Sequence, residues 1–293
     1  MYLKYWGLHE IPFQAAPDPK SYVSLPVQEE ALARMDFLSE GGGHLGLLLG
    51  PPGSGKTLLL SVFARRMRRR GYAVVLIDRP AADPRHLLQL IATQLEPRIR
   101  GHETTGQLWD AICERLLALR LEGVLPLLLI DQLDQLPLET QAIVYQLLAS
   151  QPATAARLGV IVSLAGSGFS AMDERLVDLA DLRMELEPWT STDTEQFVRQ
   201  RLSAVGRERA VFDEPALERL HELTDGIPRR VCQLGAARPR RRGRPRPPAN
   251  RRFLGRIGLL RLLPAASGGS IEPPAKPTGS ANSFAFSPHK AFP

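Results

Sequence analysis

"LLLGPPGSGKTLLL", residues Leu47–Leu60, places a knot of glycine and proline between two leucine runs and a lysine at its exit. Glycine and proline interrupt a hydrophobic run only where the backbone itself has a task. Gly50-Pro51-Pro52-Gly53-Ser54-Gly55-Lys56-Thr57 has the form G-x-x-x-x-G-K-T. In that pattern the glycines let the loop curl, so that successive backbone N–H groups converge on phosphates. A helix beginning near Thr57, with Leu58 in its first turn, points its positive end at the same place. Lys56 is then the residue to bridge the β and γ phosphates, and the Thr57 hydroxyl the one to ligate Mg²⁺. An accidental turn is the alternative. The apolar strand before the loop and the apolar helix after it argue against that.

Around this loop the chain alternates strands with helices. "VQEEALARMDFLSE" repeats Ala31, Leu32, Met35, Phe37 and Leu38 with helical spacing. "HLGLLLG" reads as a short buried strand, and "KTLLLSVFARRMRRRG" as a helix closed by Gly71. "YAVVLID", "VLPLLLID", "LGVIVSLAG" and "LRMELEP" read as four more strands. Helices are expected over 83–97, 104–121 and 138–150. Continuous apolar strands alternating with helices mean a parallel sheet covered on both faces. From Thr190 only helices are expected: 191–206, 213–224 and 227–234. The fold class is thus α/β, a five-stranded parallel sheet with helices on both faces plus a small all-helical lid. The expected domains are a leader over 1–26 packing on the core, a core over 27–189, a lid over 190–234 and a tail over 235–293.

Composition limits the function classes. Hydrophobic residues make up 44% of the 293, enough for a core of ordinary size. Cys113 and Cys232 lie far apart and form no metal-like spacing, so both are expected to be reduced thiols of a cytosolic protein. The start, "MYLKYWGLHE", lacks the apolar region of a signal peptide. The longest apolar runs are far below the roughly 20 residues that cross a bilayer. The expected location is therefore cytoplasmic, or peripheral to the inner membrane. The net charge of +6 is uneven. Residues 235–293 hold ten Arg, two Lys and one Glu, so residues 1–234 carry a net −5. A nucleic-acid partner inferred from charge would rest on the tail alone.

"LPLLLIDQLDQL", residues 125–136, has the form of the second nucleotide motif, apolar residues ending in an acid. Asp131 at the strand end is the candidate to hold the Mg²⁺ water shell. Hydrolysis also needs a group that takes a proton from the attacking water or orients it. Gln132 is an amide, able to orient water but unable to accept a proton at neutral pH. Asp134 is a carboxylate in the same turn. Asp134 as base and slow or absent hydrolysis both stay open.

The opening residues carry a resemblance. Tyr2, Trp6-Gly7-Leu8, Pro12-Phe13, Pro17-Asp18-Pro19, Tyr22 and Glu30-Ala31-Leu32 follow in order at the right distance from Gly50. This resembles the bacterial general secretion pathway protein A family of AAA ATPases, over about 1–234. MSHA biogenesis and transposition helper ATPases are related. The resemblance implies ATP and Mg²⁺ as cofactors and a nucleotide-dependent homo-oligomer. It also implies a polar γ-phosphate sensor ending the fourth strand, Ser167 with Ser163 second. Gly226-Ile227-Pro228-Arg229 matches the motif that supplies a lid arginine, a planar donor suited to phosphate. Arg175 and Arg183 are the candidates for an arginine finger acting on a neighbour. AAA-type ATPases usually place Glu where this chain has Gln132, and an Asp at position 134 is similar to the pattern of STAND-type switches. Val27, with Pro26, is the candidate for the adenine pocket; Tyr5, Trp6, Phe13 and Tyr22 are expected to staple the leader across the core. Secretion-type members continue into a membrane span and a peptidoglycan-binding domain, neither of which is legible here. Three functions compete: a motor-like ATPase assembling a secretion or pilus system, a slow nucleotide switch, and a DNA-linked helper ATPase. A kinase is disfavoured, since no acceptor-binding signature is readable.

After Leu234 the chain becomes rich in Arg, Pro, Gly and Ser. Only "FLGRIGLLRLL" in this stretch has a helical pattern, and 264–293 are expected to be disordered. Two readings stay open for 235–293. One is a frameshifted end, because out-of-frame reading of GC-rich DNA gives this excess of Arg, Pro, Gly and Ala. The other is a basic arm for DNA, RNA or anionic lipid.

Overall fold

The computed structural model describes residues 9–13, 18–19, 22–41, 44–79, 81–95, 101–150, 158–166, 168–206 and 212–236. The tail readings for 237–293, the leader aromatics Tyr2, Tyr5 and Trp6, and Ser167 lie outside the described residues.

Helix α1 (Pro26–Gly41) precedes strand β1 (Leu45–Gly50), helix α2 (Lys56–Arg69) and strand β2 (Ala73–Ile77). Helices α3 (Pro84–Leu95) and α4 (Thr105–Leu121) lead to β3 (Pro126–Ile130), and α5 (Leu138–Ala149) to β4 (Gly159–Ala165). The short helix α6 (Glu174–Asp178) precedes β5 (Leu182–Glu185). Helices α7 (Ser191–Ala204), α8 (Glu214–Thr224) and α9 (Pro228–Gly235) follow. The strands form one five-stranded sheet in the order β2-β3-β4-β1-β5, and every pairing is parallel.

Two-sided cover explains the strand composition. All six residues of β1 and all five of β3 are buried, so neither strand needs polar alternation. Alternate side chains still go to opposite faces. Leu45, Leu47, Leu49, Leu128, Ile130, Val160 and Val162 pack with Leu88, Ile112 and Val144 of α3, α4 and α5. Leu48, Leu127, Leu129, Ile161 and Met184 pack with Leu32, Met35, Leu60, Phe63 and Met67 of α1 and α2. Each fully buried leucine contributes about 1.5–3 kcal/mol, and a one-residue slip of β1 would exchange the two faces.

Local signals fix the ends of the helices. α4 and α7 each begin with a capping box, Thr104 with Gln107 and Thr190 with Asp193. Asp213 caps α8, its side chain accepting from Ala216 N. The described leader residues lie against α7: Phe13 faces Phe197 with ring centroids 6.3 Å apart, and the Arg201 Nε donates to Pro12 O at 2.9 Å. Tyr22 packs on the α1–α2 face of the core. Among the described residues, no helix is long and apolar enough to cross a membrane.

Candidate functional site

In a parallel sheet the carboxyl ends of the strands all open on one edge, where ligands bind. β1, β3 and β4 end there at Gly50, Ile130 and Ala165. After Gly50 the chain turns through Pro51–Gly55, with Ser54 N donating to Pro51 O at 3.1 Å. Gly53 and Gly55 sit at φ 91° and 101°, left-handed positions that a side chain would strain. Gly55 is the residue before α2 and offers no side-chain cap. The first N–H groups of α2 are therefore directed at the cavity, the arrangement that binds anions.

The lysine and the two carboxylates converge on this loop. Lys56 is buried and its Nζ donates to Gly50 O at 2.7 Å and Pro51 O at 3.2 Å. Burial holds its ammonium below the ordinary lysine range, Asp131 and Asp134 pull the other way, and Arg229 lowers it further. The Thr57 hydroxyl donates to Asp131 Oδ2 at 2.6 Å. The Ser163 hydroxyl, fully buried on β4, donates to Asp131 Oδ1 at 2.5 Å and accepts from Gln132 N at 2.8 Å.

Gln132 adopts a left-handed conformation (φ 55°, ψ 51°), which swings its exposed side chain out beside Asp131. Its Nε2 donates to Asp131 Oδ2 at 3.3 Å, and its Oε1 accepts from Gln135 Nε2 at 2.5 Å. Asp134 lies in the 3₁₀ turn Leu133–Gln135. Its Oδ2 accepts from Ala165 N at 3.4 Å, while its buried Oδ1 has no hydrogen-bond partner.

The helices after β5 close the other side. The Arg229 main-chain N–H donates to Gly53 O at 3.2 Å, so α9 is bonded to the phosphate loop itself. Gly226 makes that approach possible. It sits at φ 64°, and a Cβ there would fall 2.1 Å from Trp189 O. Trp189 N donates to Gly226 O at 2.9 Å, and its ring lies 4.7 Å from that of Phe197.

These groups line one cavity of about 400 Å³, within the usual size range of small-ligand sites. Of the residues singled out in the sequence, Pro52, Gly53, Gly55, Lys56, Thr57, Leu58, Asp131, Gln132, Asp134 and Arg229 border it. Gly50, Pro51 and Ser54 belong to the same loop but do not border the cavity. Val27 does not border the cavity; it packs against the α1–α2 core face, and its neighbours Val23 and Gln28 take its place. Arg175 and Arg183 are not brought to this chain's cavity. Arg175 pairs with Asp173 at 2.7 Å and lies 4.6 Å over the Tyr145 ring; Arg183 lies 5.2 Å over Phe169.

Sequence reasoning missed Gln28, Gln135, Trp189, Phe197 and Cys232, and placed Ser163 second. Gln28 had a legible signal: it is a polar residue on the stripe that continues through Ala31, Leu32, Met35 and Leu38. Cys232 is pushed up to about 11, chiefly by burial, with Arg201 opposing. Oxygen ligands are what a hard divalent cation takes, and Thr57 with Asp131 Oδ2 offers a hydroxyl beside a carboxylate. Among the described residues, no group of three or more His, Cys, Asp or Glu gathers as an all-protein metal cage. That donor set fits Mg²⁺, which usually uses one or two carboxylates plus substrate phosphates.

A phosphate loop after the first strand, an acid ending the third and helices docked onto the loop make up a P-loop fold of AAA type. The family described as AAA domain matches residues 39–167, which hold both nucleotide motifs. More particularly, the chain is similar to General secretion pathway protein A of Aeromonas hydrophila, 27% identical over 236 residues. The match covers 79% of this chain and 43% of that protein, so the chain spans less than half of that relative's length. Two solved structures share the fold. Cdc6p of Pyrobaculum aerophilum is 21% identical with a TM-score of 0.58, over 74% of this chain and 61% of that one. ORC2 of Aeropyrum pernix, solved in ADPNP–ADP complexes, is 19% identical with a TM-score of 0.56, over 74% and 63%.

Proposed function

We propose that this chain binds ATP with Mg²⁺ in the cavity and hydrolyses it, with Asp134 as general base. The observation that carries the reading is the Asp134 carboxylate, one oxygen held by Ala165 N and the other buried with no donor, on the same cavity as Lys56. A buried acceptor without a partner is costly, and a water held against the γ-phosphate supplies the missing donor.

Each residue then has a defined task. The Lys56 ammonium moves from the loop carbonyls to the phosphate oxygens. Ser163 occupies Asp131 Oδ1 and leaves Oδ2 with the Thr57 hydroxyl to hold the cation, which when bound neutralises phosphate charge. The Gln132 amide, fixed between Asp131 and Gln135, orients the attacking water. Its proton passes to Asp134 Oδ1 as the oxygen attacks the γ-phosphorus in line with the leaving oxygen. The Arg229 guanidinium stabilises the charge that develops on the transferred group. The helices from Thr190 act as the lid that carries it. Arg175 or Arg183 serves a neighbouring subunit in a nucleotide-dependent oligomer.

The work done by this cycle is assembly or remodelling of a protein partner. The likeness to General secretion pathway protein A supports a secretion or pilus component at the cytoplasmic face of the inner membrane. An ATPase assay on wild type, Lys56→Ala and Asp134→Ala tests the chemistry. Turnover that disappears in both variants is expected. Tight ATP binding without turnover in wild type would instead establish a nucleotide switch, the reading that the amide at Gln132 favours. Stimulation by DNA of a chain ending at Leu234 would move the function to a DNA-linked helper.

A further inference from the structure

Two short turns meet at Asp134. One is the 3₁₀ turn Leu133–Gln135 that carries it, and the other is the 3₁₀ turn Gly168–Ala171. They approach closely: a Cβ on Gly168 would fall 2.9 Å from Asp134 Oδ2 and 3.0 Å from Asp134 Cγ. A single side chain fastens both. Gln141, near the start of α5, is 0% exposed. Its Nε2 donates to Leu136 O, at the exit of the first turn, and to Ala171 O, at the end of the second, both at 2.9 Å. Its Oε1 accepts from Asp173 N at 2.9 Å. Both amide hydrogens and the oxygen are thus engaged. That fixes the orientation, because a turned amide would set its oxygen against two carbonyls and its NH₂ against an N–H. The neighbouring Thr140 is the contrast: it is equally buried, yet its Oγ1 has no hydrogen-bond partner.

We infer that Gln141 is the positioning residue of the hydrolysis turn: it clamps Leu136 and the 171–173 segment to α5 and so sets where the Asp134 carboxylate stands. This rests on the reading of Asp134 as general base. Gln141 does not border the cavity, so it acts only through Asp134. The physical reason is that the carboxylate has weak holds of its own. Its Oδ2 is held by Ala165 N at a long 3.4 Å, and its Oδ1 has no partner. The place of Oδ1 then depends on the turn beneath it and on the Gly168 wall beside it, and Gln141 ties down both. A misplacement of about 1 Å at a reacting group costs on the order of 10²-fold in rate.

The test compares wild type, Gln141→Met and Thr140→Val as the full chain. Steady-state ATP hydrolysis gives kcat, calorimetry with a non-hydrolysable ATP analogue gives affinity, and thermal unfolding checks the fold. Methionine fills the same space without the amide. In Gln141→Met kcat is expected to fall by about tenfold or more, with analogue affinity within about threefold of wild type. Thr140→Val removes a hydroxyl that bonds nothing and should turn over as wild type does. A folded Gln141→Met with wild-type kcat overturns the inference. So does a parallel loss of kcat and affinity, the mark of a merely structural role, or an equal loss of kcat in Thr140→Val. Should Gln141→Met not fold, Gln141→Asn takes its place: its amide is one methylene too short to reach both turns, and the same split decides. Asp134→Ala separates the two failures. Turnover that survives in it, or that wild type lacks, sinks the reading of Asp134 as base. Turnover lost in Asp134→Ala but full in Gln141→Met sinks the role of Gln141 alone.

Discussion

Replacing Gly226 with alanine tests whether docking of α9 on the phosphate loop holds the site together. The new Cβ would lie 2.1 Å from Trp189 O and 3.0 Å from Trp189 N. Trp189 has little room to yield: it is 5% exposed, its ring is packed on Phe197, and its N–H is bonded to Gly226 O. Three costs follow. A left-handed conformation at a non-glycine residue costs roughly 1–2 kcal/mol. The Trp189–Gly226 bond and the Arg229–Gly53 bond each contribute about 0.5–1.5 kcal/mol and both are disturbed. The sum is roughly 2–5 kcal/mol, which at about 2–4 °C per kcal/mol lowers Tm by on the order of 5–15 °C. Differential scanning fluorimetry reads the Tm, and calorimetry with ATP reads an affinity expected to fall at least about tenfold, since Arg229 leaves the cavity. Gly41→Ala is the control, because nothing lies within 4 Å of its Cβ, and its stability should change by less than about 0.5 kcal/mol. A Gly226→Ala protein that melts within about 2 °C of wild type and binds ATP as tightly would refute the reasoning.

Three other outcomes are expected. In Gly168→Ala the Cβ falls 2.9 Å from Asp134 Oδ2, so kcat should drop by about tenfold or more with ATP affinity nearly kept; steady-state kinetics checks the split. Ser163→Ala leaves Asp131 Oδ1 and the Gln132 N–H without their partner, and should cost about 2–4 kcal/mol in urea unfolding. ATP affinity should be flat near neutral pH and fall on the alkaline side, before the ordinary lysine value of 10.5 is reached. The sign follows from burial: the Lys56 ammonium binds phosphate, the free protein holds its pKa down, and affinity is lost as pH rises through that lowered value. Calorimetry from pH 7 to 10 checks this, and Lys56→Arg should flatten the decline, since a guanidinium keeps its proton throughout.

The sheet was legible because a strand covered on both faces is nearly all apolar, and β1, β3 and β4 are. The phosphate loop was legible because its glycines serve the backbone, so the spacing alone carries the geometry. Short elements without periodicity were not. Helix α6 and the 3₁₀ turns at Leu133–Gln135 and Gly168–Ala171 are too brief to show a repeat. Asp134 was legible as a candidate because it follows Asp131 closely in the chain. Ser163 took second place to Ser167, yet it hydrogen-bonds Asp131 across the β3–β4 pairing, a relation set by strand order. Gln28 and Trp189 reach the cavity from opposite sides of the phosphate motif. No local pattern brings them together; only the docking of α1 on the core and of the late helices on the loop does.

The bond from the Arg229 amide to Gly53 O belongs to the backbone and is indifferent to the side chain at that position. Attachment and chemistry are thus separable at a single residue. Drift at position 229 to any neutral amino acid other than proline removes the charge and leaves the clasp shut. Descendants of this sequence can lose the guanidinium while the late helices stay fastened to the loop, and proline is the lone replacement at 229 that would spring the clasp open.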